Sequence, residues 1–103
     1  LMPAEWQTEV AARTELERLR DEIEEVDQRL LAALAERVAL AQRVGELKRR
    51  AGLPLLDASR EAAVIRRAAE LGREAALPEE DVRALFWQVV GLCRRAQTEP
   101  PRR

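Results

Sequence analysis

From Leu16 to Leu47 the chain carries one long apolar stripe. Leu16, Leu19, Ile23, Val26, Leu30, Ala33, Leu40, Val44 and Leu47 follow one another in steps of three and four, broken only where Arg37 takes an apolar turn's place. That spacing puts every one of them on one face of an α-helix. No Gly or Pro interrupts the pattern before Gly45, and Gly52 is suited to the left-handed residue that closes a helix ending at Ala51. A helix over about residues 14–51 would be roughly 55 Å long, whereas a compact domain of this size has a radius of gyration of only about 13 Å. Such a helix outruns the globule that should cover it. A second copy running antiparallel in a two-fold dimer is the simplest cover. The expectation is therefore an all-α fold with one long and two shorter helices per chain, assembled as an intertwined antiparallel homodimer.

The two shorter helices are marked by their ends. Leu53-Pro54-Leu55-Leu56 reads as a connection, and Asp57 as the N-cap of a helix over about 58–74 with Val64, Ile65, Ala68, Ala69 and Leu71 on its apolar face. Gly72 and Ala75-Ala76-Leu77-Pro78 end it. Pro78 suits the first turn of a third helix, whose Glu79, Glu80 and Asp81 favour the positive end of the dipole. Val82, Leu85, Phe86, Val89, Leu92, Cys93 and Ala96 form its apolar side, and Pro100-Pro101 stops it. Residues 1–13 are weakly patterned and read as an N-terminal extension, in which Pro3 and Trp6 either start the helix early or leave it frayed. Residues 14–98 read as the helical domain, and 99–103 as a disordered basic tail.

Composition narrows the function. Eighteen basic and nineteen acidic side chains are interspersed, for a net charge of -1. Binding to nucleic acid or to a membrane surface would call for a one-sided basic field, so neither partner is expected. The chain has no histidine, so imidazole catalysis is out and a zinc site is not expected. Cys93 is the single cysteine and cannot form an internal disulfide. With no apolar run long enough to span a bilayer and no visible signal peptide, that points to the reducing cytoplasm.

Several polar residues do not fit a purely structural role. Arg37 stands in the seam position that Leu30 and Val44 occupy one repeat away. Its helical neighbours Ala33, Leu34, Leu40 and Ala41 include no acid. A guanidinium facing a core without a partner is costly, so Arg37 either snorkels, pairs across chains or awaits an anion. Lys48 lies three turns on, near the same face, with no carboxylate among Val44, Gly45, Ala51 and Gly52; a cation complementing the helix C-terminus is the plainer alternative. Arg20 has Glu17 and Glu24 in reach, so ion pairing explains it by itself. It is about 25 Å along the helix from Arg37, so the two meet at one small ligand only across an antiparallel dimer. Asp57, Arg60 and Glu61 cluster on the first turn of the second helix, where capping and dipole effects are the ordinary explanation. Cys93 and Gln97 share a face of the third helix, and Gln97 by itself is an ordinary surface residue.

Together these residues resemble the helical chorismate mutases of the small intertwined-dimer class. The stretch Leu-Arg-Asp-Glu-Ile-Glu-Glu-Val-Asp-Gln-Arg-Leu-Leu-Ala-Ala-Leu-Ala-Glu-Arg is similar to that family's first-helix signature. Val-Gly-Glu-Leu-Lys, Leu-Asp-Ala-Ser-Arg-Glu and Leu-Phe-Trp-Gln-Val-Val follow in register, over about residues 16–97. The resemblance implies an isomerase of aromatic amino acid biosynthesis that rearranges chorismate to prephenate without metal or cofactor. It implies that Arg37 and Arg60 bind substrate carboxylates, joined by Arg20 from the partner chain. Lys48 and Gln97 would flank the ether oxygen, and Glu61 would hold the ring hydroxyl with Asp57 close by. Cys93 stands where the family often carries a serine; a thiol is a weak donor, so proximity to a carboxylate carries over and the hydrogen bond does not.

Two other readings compete. An isochorismate pyruvate-lyase on the same scaffold would also use the arginines and the lysine, but that group lacks a glutamate at the position of Glu61. A non-catalytic helical dimerisation or regulatory module would explain the heptads and leave Arg37 without a reason. Domains of the resembling family occur alone, fused to another shikimate-pathway enzyme, or docked on a larger synthase, and the sequence does not choose among these.

Overall fold

The computed structural model describes residues 4–99. Three α-helices follow in order, α1 (Ala4–Ala51), α2 (Ala58–Glu74) and α3 (Glu79–Thr98), with no strand among the described residues. Among the described residues no helix is long and apolar enough to cross a membrane. The all-α expectation holds, α2 has the expected bounds, and α3 begins just after Pro78.

Of the two alternatives for the N-terminal extension, the early start is the one seen. Helix α1 begins at Ala4, ahead of the strong apolar pattern. The first ten residues have no apolar stripe but are locally good helix formers. Glu5 lies in the first turn, Arg13 pairs with Glu9 one turn back at 2.8 Å, and the Thr8 and Thr14 hydroxyls donate to carbonyls four residues earlier. Intrinsic propensity and i,i+4 pairing extend the helix beyond the segment that burial would select. At the other end Gly52 takes φ 67°, and the Leu53 N–H donates to the Lys48 carbonyl at 2.9 Å, closing the last turn in the left-handed manner glycine permits.

The Asp57 side chain accepts from the Arg60 N–H at 3.0 Å and caps α2. After Glu74 the chain turns through Ala76, whose φ of 60° is unusual for a residue with a Cβ. Pro78 occupies the N-cap of α3 rather than its first helical position. Glu99 is the C-cap. The Pro100-Pro101 stop and the Arg102-Arg103 tail lie outside the described residues.

The chain divides between Ala33 and Leu34 into two units. The first holds the N-terminal stretch of α1, laced on its polar side by Arg18 with Glu15 and Glu22. The second holds the remainder of α1 with α2 and α3. Its core consists mainly of small side chains: Ala41, Ala68, Ala69, Cys93 and Ala96 are buried with Ile65, Val82 and Val90. No large side chain is fully buried among the described residues. Small residues let helices approach closely: a Cβ built on Gly72 would stand 2.7 Å from the Val82 side chain. The leucine stripe of α1 is exposed in both units. Leu16, Leu19, Ile23, Val26, Leu30, Leu40, Val44 and Leu47 are each between 42% and 64% exposed.

Candidate active site

Within the second unit, all three helices send polar side chains into one cleft of about 320 Å³, inside the range of roughly 300–1,000 Å³ usual for small-molecule sites. Arg37 and Lys48 enter from α1, Arg60 and Glu61 from the first turn of α2, and Cys93, Arg94 and Gln97 from α3; Asp57, the α2 cap, also lines it. Every site residue named from the sequence is therefore here except Arg20, which is not among the lining residues. Arg20 is exposed on α1, and the ion pairs expected for it with Glu17 and Glu24 are not formed among the described residues. The carboxylates engaged on that stretch are Glu15 and Glu22, both held by Arg18.

Gln97 is the most firmly placed member. Where α1 crosses α3, a Cβ on Gly45 would lie 2.6 Å from the Gln97 carbonyl oxygen and 2.8 Å from its Cα. A glycine inside a helix costs about 0.5–1 kcal/mol relative to alanine, and here it permits a backbone approach that no side chain would. One turn along α1, Arg49 donates to the Gln97 carbonyl at 2.6 Å. Lys48 Nζ donates to Gln97 Oε1 at 3.3 Å and to the Leu55 carbonyl at 3.1 Å. A lysine only donates, so its contact orients the amide oxygen toward itself and leaves the Gln97 NH₂ to donate elsewhere. The cleft thus holds a lysine and an amide donor side by side; Lys48 also stands in the last turn of α1, so the helix-dipole effect and these specific contacts coexist.

Gly45→Ala is expected to force α3 back at Gln97. The clash is with backbone, which cannot swing aside, so a loss of about 1–3 kcal/mol is expected despite the better helix former. Turnover should fall further than stability, because Gln97 and Lys48 are displaced together. Thermal unfolding and steady-state rates on one preparation measure both; an unchanged melting temperature with an unchanged rate would contradict the crossing geometry.

Arg37 is half-buried, and its Nη1 donates to Cys93 Sγ at 2.9 Å. A thiol is a weak acceptor and a guanidinium has five N–H donors, so most of the fork remains for an anion. Cys93 is buried beside Ala41 and Ala96 and acts toward Arg37 as an acceptor. Arg60 has no side-chain hydrogen-bond partner among the described residues.

Glu61 brings the main addition to the sequence reading. Its carboxylate takes a two-pronged grip from Arg94, Nε to Oε2 at 2.9 Å and Nη2 to Oε1 at 2.6 Å. Arg94 was not singled out from the sequence, although it stands one turn before Gln97 and one turn after Val90 on the same face of α3. The bond from Arg94 holds the Glu61 carboxyl below the usual carboxylate range; burial pushes the other way, and Asp57 and Lys48 act more weakly in opposite senses. The pair's contribution to stability is therefore present above the unfolded carboxyl value of about 4.3 and is lost as pH falls through the lowered folded value.

Charge in the cleft is lopsided: Arg37, Lys48, Arg60 and Arg94 face Asp57 and Glu61. With Arg94 committed to Glu61 and Asp57 to its cap, three cations remain for a ligand. That suits a small polyanion.

Comparison with known proteins shows which family the sequence matches. The sequence model of the family described as chorismate mutase type II matches residues 19–98. The chain is 33% identical over 82 residues to a bifunctional chorismate mutase/prephenate dehydratase of Aquifex aeolicus, covering 77% of this chain and 23% of that one. It is 49% identical over 51 residues to the T-protein of Enterobacter agglomerans, covering 50% of this chain and 14% of that one. A 3-dehydroquinate dehydratase of Pyrobaculum aerophilum is 35% identical over 79 residues, which are 77% of this chain and 23% of the relative. The chain thus spans a quarter or less of these curated relatives. Among solved structures, a conserved hypothetical protein from Pyrococcus furiosus superimposes with a TM-score of 0.66 at 31% identity, over 82% of this chain and 96% of that one.

Proposed function

This chain belongs to the chorismate mutase type II family, and we propose that it catalyses the rearrangement of chorismate to prephenate, in a site completed by a second copy of itself. The observation that carries the reading is the convergence of Arg37, Lys48, Arg60, Glu61 and Gln97 on one cleft. Chorismate is a dicarboxylate whose enolpyruvyl arm must fold over its ring before a C–C bond can form as the ether C–O bond breaks. The reaction is intramolecular, so the protein has two tasks, positioning and charge stabilisation. Arg37 and Arg60 grip the carboxylates and hold the reactive conformer. Lys48 and the free Gln97 amide face the ether oxygen, where negative charge grows, and each donor of this kind is worth about 2.7–4 kcal/mol. Two such donors plus positioning reach the roughly 8 kcal/mol that a modest enzyme must supply. Glu61 accepts from the ring hydroxyl, which favours the mutase over the isochorismate lyase.

The exposed stripe of α1 supports the second copy. Apolar side chains at heptad spacing along one helix call for a matching helix, and an antiparallel partner would bring its Arg20 to the cleft that lacks it. In aromatic amino acid biosynthesis such a dimer would act in the cytoplasm, alone, fused to, or docked on another enzyme of the pathway.

Incubation of the purified chain with chorismate, followed by proton NMR, tests the activity. Prephenate should replace chorismate one for one, and excess EDTA should leave the rate unchanged. Absence of turnover, or release of pyruvate from isochorismate in its place, would contradict the reading.

A further inference from the structure

We propose that Arg94 is a positioning residue of this site: its guanidinium fork fixes the Glu61 carboxylate by its inner edge, leaving the outer lone pairs to accept a hydroxyl from the substrate. The inference rests on the mutase reading and goes beyond it, because nothing in that chemistry calls for a cation at this position. Three observations support it. The two bonds, 2.9 and 2.6 Å, form the parallel two-point pairing of guanidinium with carboxylate. The partners come from different helices thirty-three residues apart, so the contact is tertiary and not an incidental i,i+4 pair. Both side chains line the cleft, with Glu61 only 22% exposed.

The consequence follows from the donor inventory. An ionised carboxylate offers about four acceptor positions over its two oxygens. The Arg94 fork fills one on each oxygen, so the remaining acceptors are held in a fixed direction. A carboxylate held in this way selects a ligand that presents a hydroxyl donor and repels one that presents an anion at the same point. The charged groups acting on Glu61 are Arg94 from α3, Lys48 from α1 and Asp57 from its own helix. Of these, Arg94 has the largest effect in keeping Glu61 an acceptor in mildly acidic solution.

The test pairs a readout that needs no catalysis with one that does. Side-chain carboxyl carbons are observed by NMR in the full chain, with Glu61 assigned by its disappearance in Glu61→Gln. In Arg94→Leu the Glu61 titration should move to higher pH. The acid limb of kcat/KM should move with it, and KM for chorismate should rise about tenfold, the scale of one charge-assisted hydrogen bond. Arg94→Gln carries the same expectation and serves if Arg94→Leu does not fold. Arg94→Lys should restore much of the titration but little of the KM, because an ammonium cannot form the fork. If Glu61 titrates in the variants as in the wild type, the proposal is overturned, whether or not KM changes. A loss confined to melting temperature, with pH profile and KM unmoved, overturns it too. Failure of the mutase reading is seen separately, as absence of prephenate from the wild-type chain while the carboxyl titration is still read.

Discussion

Gln97→Glu is expected to be nearly inactive at neutral pH and to recover as the solution is made acidic. The wild-type amide donates at any ordinary pH, and in this structure its oxygen is turned toward Lys48 (3.3 Å), leaving the NH₂ as the donor. An ionised glutamate only accepts. It would place negative charge beside an ether oxygen that is itself becoming negative, and the loss of one such donor costs about 10²–10³ in kcat. A protonated glutamate donates again. Activity should therefore rise as pH falls through the new carboxyl's pKa, whose unperturbed value is about 4.3. Lys48 pulls that value down, while burial and the bound substrate carboxylates push it up; the second pair should prevail. The wild type should stay flatter over the same range, because Arg94 keeps Glu61 ionised below the usual carboxylate range. Rate against pH for the two proteins, with circular dichroism at each pH, measures this. A variant profile parallel to the wild type would remove Gln97 from the ether oxygen.

Arg37→Ala should have the other large effect, and on turnover far more than on stability. Arg37 grips a carboxylate in the proposed complex, and hydrogen bonds to charged groups contribute about 1.5–3 kcal/mol each. Two of them correspond to roughly a thousandfold in kcat/KM. In the folded chain its one side-chain bond among the described residues is to the Cys93 thiol, a weak acceptor, and it shares the cleft with Lys48, Arg60 and Arg94, so removing one of four like charges relieves repulsion. Stability should stay within about 1 kcal/mol of the wild type. Destabilisation by several kcal/mol would make Arg37 a structural residue instead.

Much of this was legible in the chain before any coordinates. Helix ends marked by Asp57, Gly52 and Pro78 could be read because caps act over one turn. Arg37 and Lys48 stood out because a cation in an apolar seam has no local partner, and the structure gives both of them distant ones on α3. The parts that escaped share a different character. The start of α1 stayed open between two alternatives because residues 4–13 are helical by propensity and pairing, not by burial. Gly45 looked like an interruption, since nothing local reveals that the Gln97 backbone lies against it. Arg94 carried no sequence signal of its own, because its partner is on another helix and only packing joins them. Sequence periodicity identifies faces; it does not say which residue on one face meets which on the next.

The claim that two chains together build a mutase site is tested most directly by mixing. Arg20→Ala and Arg37→Ala chains should each be inactive alone. Unfolded together and refolded in equal amounts, they should form hybrid dimers in which one site regains both arginines and the other has neither. Random pairing then restores about one quarter of wild-type prephenate formation, as expected for a two-fold dimer with shared sites. If the mixture remains inactive although mass spectrometry shows hybrid dimers, or if a stable monomer proves fully active, the shared site does not exist.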